Sequence, residues 1–261
     1  MSTVLAIANQ KGGVGKTTTT LNLGAALVEQ GKKVLLIDFD PQAALTVAYG
    51  ILPNELTQTI YEVLVEQTMD LREVIISPHT GPDLAPANLN LAGAEVELLN
   101  EIGRELFLKE KLRDVRSQYD FILIDCPPSL GLLTINALSA ADKVLIPIQT
   151  EYFALKALEH LLNIVRKIKA KANPGLAIAG ILPTMYQARA RHSEEVAEEL
   201  RRSFGEWVLD AVIKKTVRFP DSVVVAEEEL GEPPEPRSIF RFDPRSEYAD
   251  AYRKLAKEIQ Q

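Results

Sequence analysis

Short, continuous apolar runs recur along the chain, and polar or turn-forming residues follow each of them. Runs of this kind are typical of strands that are buried on both faces of a parallel sheet. The pattern predicts strands at 4–8, 34–37, 83–87, 119–125, 143–148 and 176–182. Because helical segments separate these runs, we expect an α/β fold: an open, mostly parallel twisted sheet flanked by helices on both faces.

Helical periodicity fills the intervals between the runs. The longest helix is predicted over 151–171, where leucines and a valine recur on one face. Further helices are predicted at 17–29, 91–99, 106–115, 136–142 and 247–259, with short helices near 62–64 and 71–75. Segment 184–193 is predicted to open another helix, which runs to about residue 204. Because α/β folds often reach this length undivided, we expect residues 1–261 to form a single domain.

Composition limits the classes of function. Hydrophobic residues make up 46% of the 261 positions, which is enough for a core. The net charge of -7 argues against a globally basic nucleic-acid-binding protein, although it leaves a local basic patch open. Cys126 is the one cysteine, so an internal disulfide framework is excluded. With no signal-peptide pattern and no apolar run long enough to cross a bilayer, a cytoplasmic protein is expected.

A glycine-rich loop, Gln10–Thr18, lies between the first predicted strand and the helix after it. Gly15, Lys16 and Thr17 match the end of the phosphate-binding loop pattern, whereas Gln10 stands where that pattern has its opening glycine. Such a loop surrounds phosphate oxygens with backbone N–H groups, its lysine reaches the β- and γ-phosphates, and its threonine binds Mg²⁺. A glycine-rich turn without a ligand is the alternative. The position between strand and helix favours a nucleotide site formed by Gly12, Gly13, Val14, Gly15, Lys16, Thr17 and Thr18.

Three aspartates follow apolar runs at positions where open α/β sheets bind their ligands. Asp38 and Asp40 end the second run, and they are either site residues or loop carboxylates that cap a helix. Asp125 ends the run 119–125, which is the Walker B pattern, and its carboxylate is expected to hold Mg²⁺ through water. The proline-containing loop 126–131 suits a nucleotide-sensing switch, in which Cys126 is expected to be buried rather than reactive.

The string from Lys11 to Thr17 resembles the signature of the ParA/MinD family of deviant Walker ATPases, which are P-loop NTPases. The string from Asp38 to Gln42 is similar to the second signature of the ParA (Soj-like) branch. The resemblance implies ATP hydrolysis in a homodimer, with Lys11 reaching the partner's nucleotide and Asp40 positioning the attacking water. It also implies that Asp38 joins Asp125 in the water shell of Mg²⁺, that Gln42 contacts ATP, and that segment 86–94 contributes to the dimer face.

The resemblance extends toward the C-terminus. It implies that Thr184, Met185 and Tyr186 lie near the adenine, although Gln187 replaces an aspartate that is common in the family. The implied DNA-facing residues are Arg189, Lys214, Lys215 and Arg218, with scattered surface charge as the alternative. The sequence departs from the family at 219–222 and in the acidic segment 227–236, which reads as a flexible loop and is shorter in relatives.

The predicted function is a spatial-organisation ATPase that segregates a chromosome or plasmid. Its ATP-bound dimer binds nucleoid DNA without sequence preference, and a stimulating adaptor such as a ParB-like protein triggers hydrolysis. Positioning of a protein cargo such as carboxysomes, through a carboxysome-associated partner, remains open. A MinD-like membrane cycle is disfavoured because residues 252–261 are too polar for a membrane-binding helix. A metal-cluster carrier or nitrogenase-type reductase would need paired cysteines.

Overall fold

The computed structural model describes residues 2–66, 68–150, 154–187, 191–216 and 234–261. Within these ranges, six parallel strands form one sheet in the order β3-β2-β4-β1-β5-β6. The strands are β1 Thr3–Ile7, β2 Val34–Asp38, β3 Asp83–Ala85, β4 Phe121–Asp125, β5 Lys143–Gln149 and β6 Ala177–Thr184. The prediction of a parallel α/β sheet is therefore confirmed.

Alternation along the strands divides the core into two layers. In β1, Val4 and Ala6 face one layer, whereas Leu5 and Ile7 face the other. Since both faces are covered, the strands carry apolar residues at successive positions, which is why they appear as continuous hydrophobic runs in the sequence.

Helices cover both layers. They are α1 Lys16–Glu29, α2 Ala44–Val47, α3 Ile60–Val65, α4 Leu91–Glu97, α5 Phe107–Leu112, α6 Leu132–Ala140, α7 Ala154–Lys171, α8 Arg191–Phe204, α9 Ile239–Phe242 and α10 Glu247–Ile259. Helices α1, α2, α9 and α10 contribute to the layer that contains Leu5, and α3 to α8 contribute to the layer that contains Val4.

Several predicted helices have different bounds in the structure; the helix expected at 91–99, for example, ends at Glu97. The helix expected at 106–115 is the shorter α5, and 3₁₀ turns at Arg104–Leu106 and Arg116–Gln118 flank it. The helix expected at 136–142 begins earlier and ends at Ala140. Asn136 explains part of this, because its amide donates to Leu132 O at 3.1 Å and to Arg104 O at 2.8 Å and so ties α6 to the neighbouring turn.

A segment after α8 extends the edge of the sheet. Val208 pairs with Ile181 and Lys214 pairs with Tyr186 through isolated parallel bridges. Backbone bonds from Leu209 N to Ile181 O, 3.0 Å, and from Lys215 N to Tyr186 O, 3.0 Å, hold the segment beside β6.

Backbone bonds also join the carboxyl ends of the central strands. Cys126 N donates to Ile7 O at 3.2 Å, Phe39 N donates to Asp125 O at 3.0 Å, and Ala8 N donates to Leu145 O at 3.1 Å. The loops that follow β1, β2 and β4 therefore leave the sheet at one place.

The last helix is part of the core. In α10, Tyr252, Leu255, Ala256 and Ile259 are buried in the same layer as the apolar residues of α1. Among the described residues, no helix combines the length and the apolar character needed to cross a membrane.

Candidate nucleotide-binding site

The loop between β1 and α1 has the backbone shape of a phosphate cradle. Gly13 and Gly15 have φ angles of 72° and 87°, in the left-handed region that side chains other than glycine's rarely adopt. A Cβ at either position would meet no atom within 4 Å, so the requirement for glycine here is conformational rather than steric. Successive glycines with positive φ at the N-terminus of a helix are the backbone pattern by which N–H groups surround an anion, and α1 begins directly after Gly15.

Lys16 is the first residue of α1, and it is buried. Its Nζ lies 3.3 Å from the backbone oxygen of Lys11, to which it donates, so the lysine folds back over the loop. Burial lowers the pKa of Lys16, and the charge of Asp125 opposes this shift. A buried ammonium in a loop of N–H donors is suited to an anionic group such as a polyphosphate.

Asp125 ends β4 and is completely buried. Its Oδ1 accepts a hydrogen bond of 3.4 Å from the hydroxyl of Thr20. The hydroxyl of Thr17 lies near this carboxylate and lowers its pKa. Its Oδ2 is buried and has no hydrogen-bond partner in the described part of the protein. Burial raises the pKa of Asp125, and the nearby charge of Asp38 raises it further.

This carboxylate fits a magnesium site. A buried carboxylate oxygen without a donor is costly unless a cation or an ordered water meets it. The hydroxyl of Thr17 and the carboxylate of Asp125 are hard oxygen donors, which Mg²⁺ prefers. The orphaned oxygen and this donor set therefore agree with the ion that the sequence predicts.

Asp38 has a different environment, although it is also completely buried and lies beside Asp125 in the strand register. Its Oδ2 accepts from the backbone N–H and from the hydroxyl of Thr46, at 2.8 and 2.7 Å. Its Oδ1 accepts from Asp40 N at 3.3 Å. Burial raises the pKa of Asp38, and the bonds from Thr46 oppose that rise. Protein donors thus already contact both oxygens of the carboxylate that we expected in the water shell of Mg²⁺.

Asp40 and Gln42 lie on the loop between β2 and α2. Asp40 is half-buried, and its Oδ1 accepts from the backbone N–H of Gln42 at 3.0 Å. Gln42 is exposed. The next residue, Ala43, has a φ of 53°, a left-handed conformation that is uncommon for alanine. The carboxylate of Asp40 is therefore held by its own loop at the edge of the site.

Lys11 is half-buried and lies against the neighbouring strand. Its Nζ donates to Gln149 Oε1 at 3.0 Å, and its backbone N–H donates to Asn9 Oδ1 at 3.0 Å. Asn9 in turn donates to Pro147 O at 2.7 Å. The distinctive first half of the loop is thus fastened to β5.

The predicted adenine-contact residues lie at the end of β6, close to the loop. Thr184 is buried, and its hydroxyl donates to Val14 O at 2.8 Å, which joins the strand end directly to the phosphate loop. Met185 has a φ of 53°, and both Met185 and Tyr186 are half-buried. The structure therefore joins Thr184 to the loop, and Met185 and Tyr186 follow it at the end of β6.

The predicted DNA-facing residues are only partly described. Arg189 and Arg218 lie outside the described residues. Lys214 and Lys215 are both exposed at the sheet edge, and the Nζ of Lys214 donates to Glu247 Oε2 at 2.6 Å. That bond raises the pKa of Lys214. Its positive charge is already shared with a carboxylate, which the sequence did not indicate.

Thr20 is a site residue that the sequence analysis missed. Its hydroxyl donates to Lys16 O at 3.1 Å and reaches Asp125. The sequence did indicate this residue, since Thr17 and Thr20 are three residues apart in a predicted helix and therefore lie on the same face. Thr46 was also missed, because its contact with Asp38 depends on the course of a loop.

The fold and the site together define a class. A parallel sheet in which a glycine loop, a buried lysine and an orphaned strand-end carboxylate converge at the carboxyl edge is a phosphate-loop nucleotide-binding protein.

Comparisons then define the family. Residues 2–178 match the family model described as AAA domain. The chain is 45% identical over 259 residues to the sporulation initiation inhibitor protein Soj of Bacillus subtilis, which covers 99% of this chain and 98% of Soj. The chain belongs to the ParA/Soj family of ATPases, as its motifs predicted.

Solved structures agree with this assignment. Cobyrinic acid a,c-diamide synthase from Mycobacterium smegmatis, with bound ATP analog and magnesium, is 39% identical with a TM-score of 0.84, over 98% of this chain and 93% of that one. A putative plasmid partition protein from Borrelia burgdorferi, bound to AMPPNP, is 27% identical with a TM-score of 0.80, over 100% and 99% of the two chains.

Proposed function

We propose that this protein is a DNA-partition ATPase whose ATP-bound dimer binds nucleoid DNA and whose partner protein stimulates hydrolysis. The observation that carries the proposal is the convergence of Lys16, Thr17 and the orphaned Asp125 oxygen beneath the glycine loop. The chain is also 41% identical over 259 residues to the chromosome-partitioning ATPase Soj of Treponema pallidum, and this similarity supports partition as the purpose of the cycle.

In this proposal the chain's own groups divide the chemistry. Loop N–H groups and Lys16 hold the phosphates, and Asp40 orients the attacking water. Thr17 would hold Mg²⁺ directly, and Asp125 and Asp38 would hold it through water. When bound, that ion neutralises charge on the β- and γ-phosphates. Magnesium beside an ATP analog in the M. smegmatis structure supports this assignment.

A homodimer would supply the remaining charge. We propose that Lys11 leaves its contact with Gln149 and reaches the nucleotide of a second copy, as an arginine finger does elsewhere. Four large apolar side chains on and around α4 support an interface between proteins, since they are mostly exposed: Leu89 64%, Val96 73%, Leu99 55% and Ile102 99%.

The rest of the cycle follows from the same assignment. The proposed DNA contacts are Arg189, Lys214, Lys215 and Arg218, the proposed partner is a ParB-like adaptor, and the proposed location is the cytoplasm on the nucleoid. A membrane cycle would need free apolar residues in α10. Because Leu255 and Ile259 are buried against the core, that helix has no apolar face to offer a bilayer.

The test combines turnover, association and DNA binding on the purified chain. We expect ATP hydrolysis that requires Mg²⁺, a dimer that forms with ATP and not with ADP, and DNA binding that only the dimer shows. Lys11→Ala should retain ATP binding and lose both dimer and turnover. A chain that stays monomeric with ATP, and whose turnover is indifferent to Lys11→Ala, contradicts the proposal.

The cargo is tested with the proteins encoded beside this chain. Stimulation of turnover by a neighbouring centromere-binding protein supports partition of DNA. Stimulation by a carboxysome-associated protein alone would replace that cargo with a protein assembly and leave the ATPase cycle unchanged.

A further inference from the structure

Thr46, in α2, is completely buried between the ends of two strands. Its backbone N–H and its hydroxyl both donate to Asp38 Oδ2, at 2.8 and 2.7 Å. The same hydroxyl oxygen accepts a hydrogen bond of 2.9 Å from the backbone N–H of Ala87, just beyond β3. A threonine hydroxyl has one hydrogen to donate, so this hydroxyl is committed to Asp38.

These bonds close the loop of residues 39–45 into a ring. At the start of the ring, Asp38 Oδ1 accepts from the backbone N–H of Asp40 at 3.3 Å. At its end, Asp38 Oδ2 holds Thr46. One buried carboxylate therefore fixes both ends of the loop that carries the proposed water-orienting residue.

The loop needs such a restraint because part of its backbone is strained. Ala43 adopts a φ of 53°, and its N–H donates to Asp40 O at 2.8 Å. A left-handed alanine is strained and persists only where the surrounding structure holds it in place. The contacts of Thr46, three residues further along, supply that restraint.

We propose that Thr46 is a positioning residue for ATP hydrolysis. It holds the carboxylate of Asp38 in place, and Asp38 holds the backbone at Asp40 where water must be oriented. This inference rests on the proposed function, because it assigns a role within the same hydrolysis site. Thr46 acts through Asp38 rather than on the nucleotide.

Thr46→Val tests the proposal, because valine keeps the shape of threonine and removes the hydroxyl. Asp38 Oδ2 then loses one of its two donors, and Ala87 N–H loses its acceptor. We expect kcat for ATP hydrolysis to fall on the order of 10- to 100-fold, since small misplacements of a reacting group have effects of this size. KM for ATP and the affinity for a non-hydrolysable analogue should stay at wild-type values, and Thr46→Ser should restore kcat.

Thr59→Val is the matched control. Thr59 is also completely buried, and its hydroxyl also donates to a carboxylate, that of Glu62, at 2.9 Å, as the N-cap of α3. Its loss should lower stability and leave kcat unchanged. Thermal unfolding by circular dichroism confirms that each variant is folded at the assay temperature, and Thr46→Ala replaces the valine variant if that variant does not fold.

Three outcomes overturn the inference: wild-type kcat in Thr46→Val, no recovery in Thr46→Ser, or an equal loss in Thr59→Val. A wild-type chain that does not hydrolyse ATP overturns the proposed function itself. Full turnover in Thr46→Val beside an active wild type overturns this inference alone.

Discussion

At the scale of single residues, the site concentrates buried charge. Lys16, Asp38 and Asp125 are all buried. Burial lowers the pKa of Lys16 and raises the pKa of Asp38 and of Asp125, so it favours the neutral form of each side chain. Hydrogen bonds from Thr46 compensate Asp38, whereas one oxygen of Asp125 has no partner among the described residues. Uncompensated charge of this kind lowers stability and is typical of residues kept for function.

Asp125→Asn should separate stability from activity. In EDTA at pH 8 we expect the melting temperature to rise by about 2–4 °C, which corresponds to about 1 kcal/mol in a chain of this size. The raised pKa of Asp125 sets the sign: ionisation disfavours the folded state, and the cost grows as pH rises above the ordinary carboxyl range. The gain should therefore be smaller at pH 5, as measured by differential scanning calorimetry.

The same variant should lose Mg²⁺-dependent ATP hydrolysis by at least about 100-fold. It should also lose the stabilisation that Mg²⁺ and ATP give to the wild type. If the melting temperature of Asp125→Asn falls in EDTA, the carboxylate stabilises the folded chain, and ionised Asp125 does not disfavour the folded state.

Lys214 and Lys215 should differ in DNA binding. Each phosphate contact contributes about 0.9 to the slope of log K against log salt concentration. Lys215→Ala should reduce the slope by about that amount. Lys214→Ala should change it less, since Lys214 already bonds to Glu247. Fluorescence anisotropy with a short duplex across a salt series measures both, and equal slopes for wild type and Lys215→Ala would remove that residue from the interface.

At the scale of elements, close contact between α1 and β2 defines one side of the nucleotide site. A Cβ on Gly24 would lie 2.7 Å from Leu36 Cδ2 and 3.3 Å from Pro82 Cγ. The helix that begins at Lys16 therefore approaches the sheet at a distance that glycine permits. This contact fixes where the phosphate loop stands relative to β2 and the loop that follows it.

Gly24→Ala should destabilise the chain. Alanine favours a helix by about 1 kcal/mol over glycine, but overpacking a core costs about 1–3 kcal/mol. We expect the clash to outweigh the gain and to lower the free energy of unfolding by about 1 kcal/mol. Gly93→Ala in α4 is the control: its Cβ would meet only the movable carboxylate of Glu97 at 3.3 Å and the edge of Tyr61, so that variant should be at least as stable as wild type in urea denaturation.

The sequence predicted the elements with strong local signals. Strands such as β1 and β4 are continuous apolar runs because both faces of the sheet are covered. Gly13 and Gly15 indicate a loop that needs positive φ, which the structure has at both residues. Contacts between distant segments could not be read in the same way. The pairing of residues 208–214 with β6 and the bond from Thr46 to Asp38 depend on how loops return to the sheet.

At the scale of the whole molecule, the apolar side chains around α4 are exposed, whereas those of the C-terminal helix α10 are buried. Leu255 and Ile259 in α10 lie in the core, whereas Val96 and Ile102 face solvent. A surface of this kind marks a site of association. We therefore expect the exposed apolar face around α4, rather than α10, to form the contacts with another protein when ATP is bound.

Ile102→Glu should prevent the ATP-dependent dimer. The side chain is 99% exposed, so the monomer should fold and bind ATP normally. Sedimentation velocity with a non-hydrolysable ATP analogue should show a monomer for this variant and a dimer for the wild type. Phe242→Glu, at a residue that is 57% exposed in α9, is the control and should still dimerise. If both variants dimerise, Ile102 does not belong to the interface.

The backbone bonds that join the ends of β1, β2, β4 and β5 have one more consequence. Moving one strand end would break its bonds to the next, so we expect the floor beneath the phosphates to be the same with ATP and with ADP. We therefore expect discrimination between the two nucleotides to fall to the loops 39–45 and 126–131, and we expect these loops to respond when a γ-phosphate is lost.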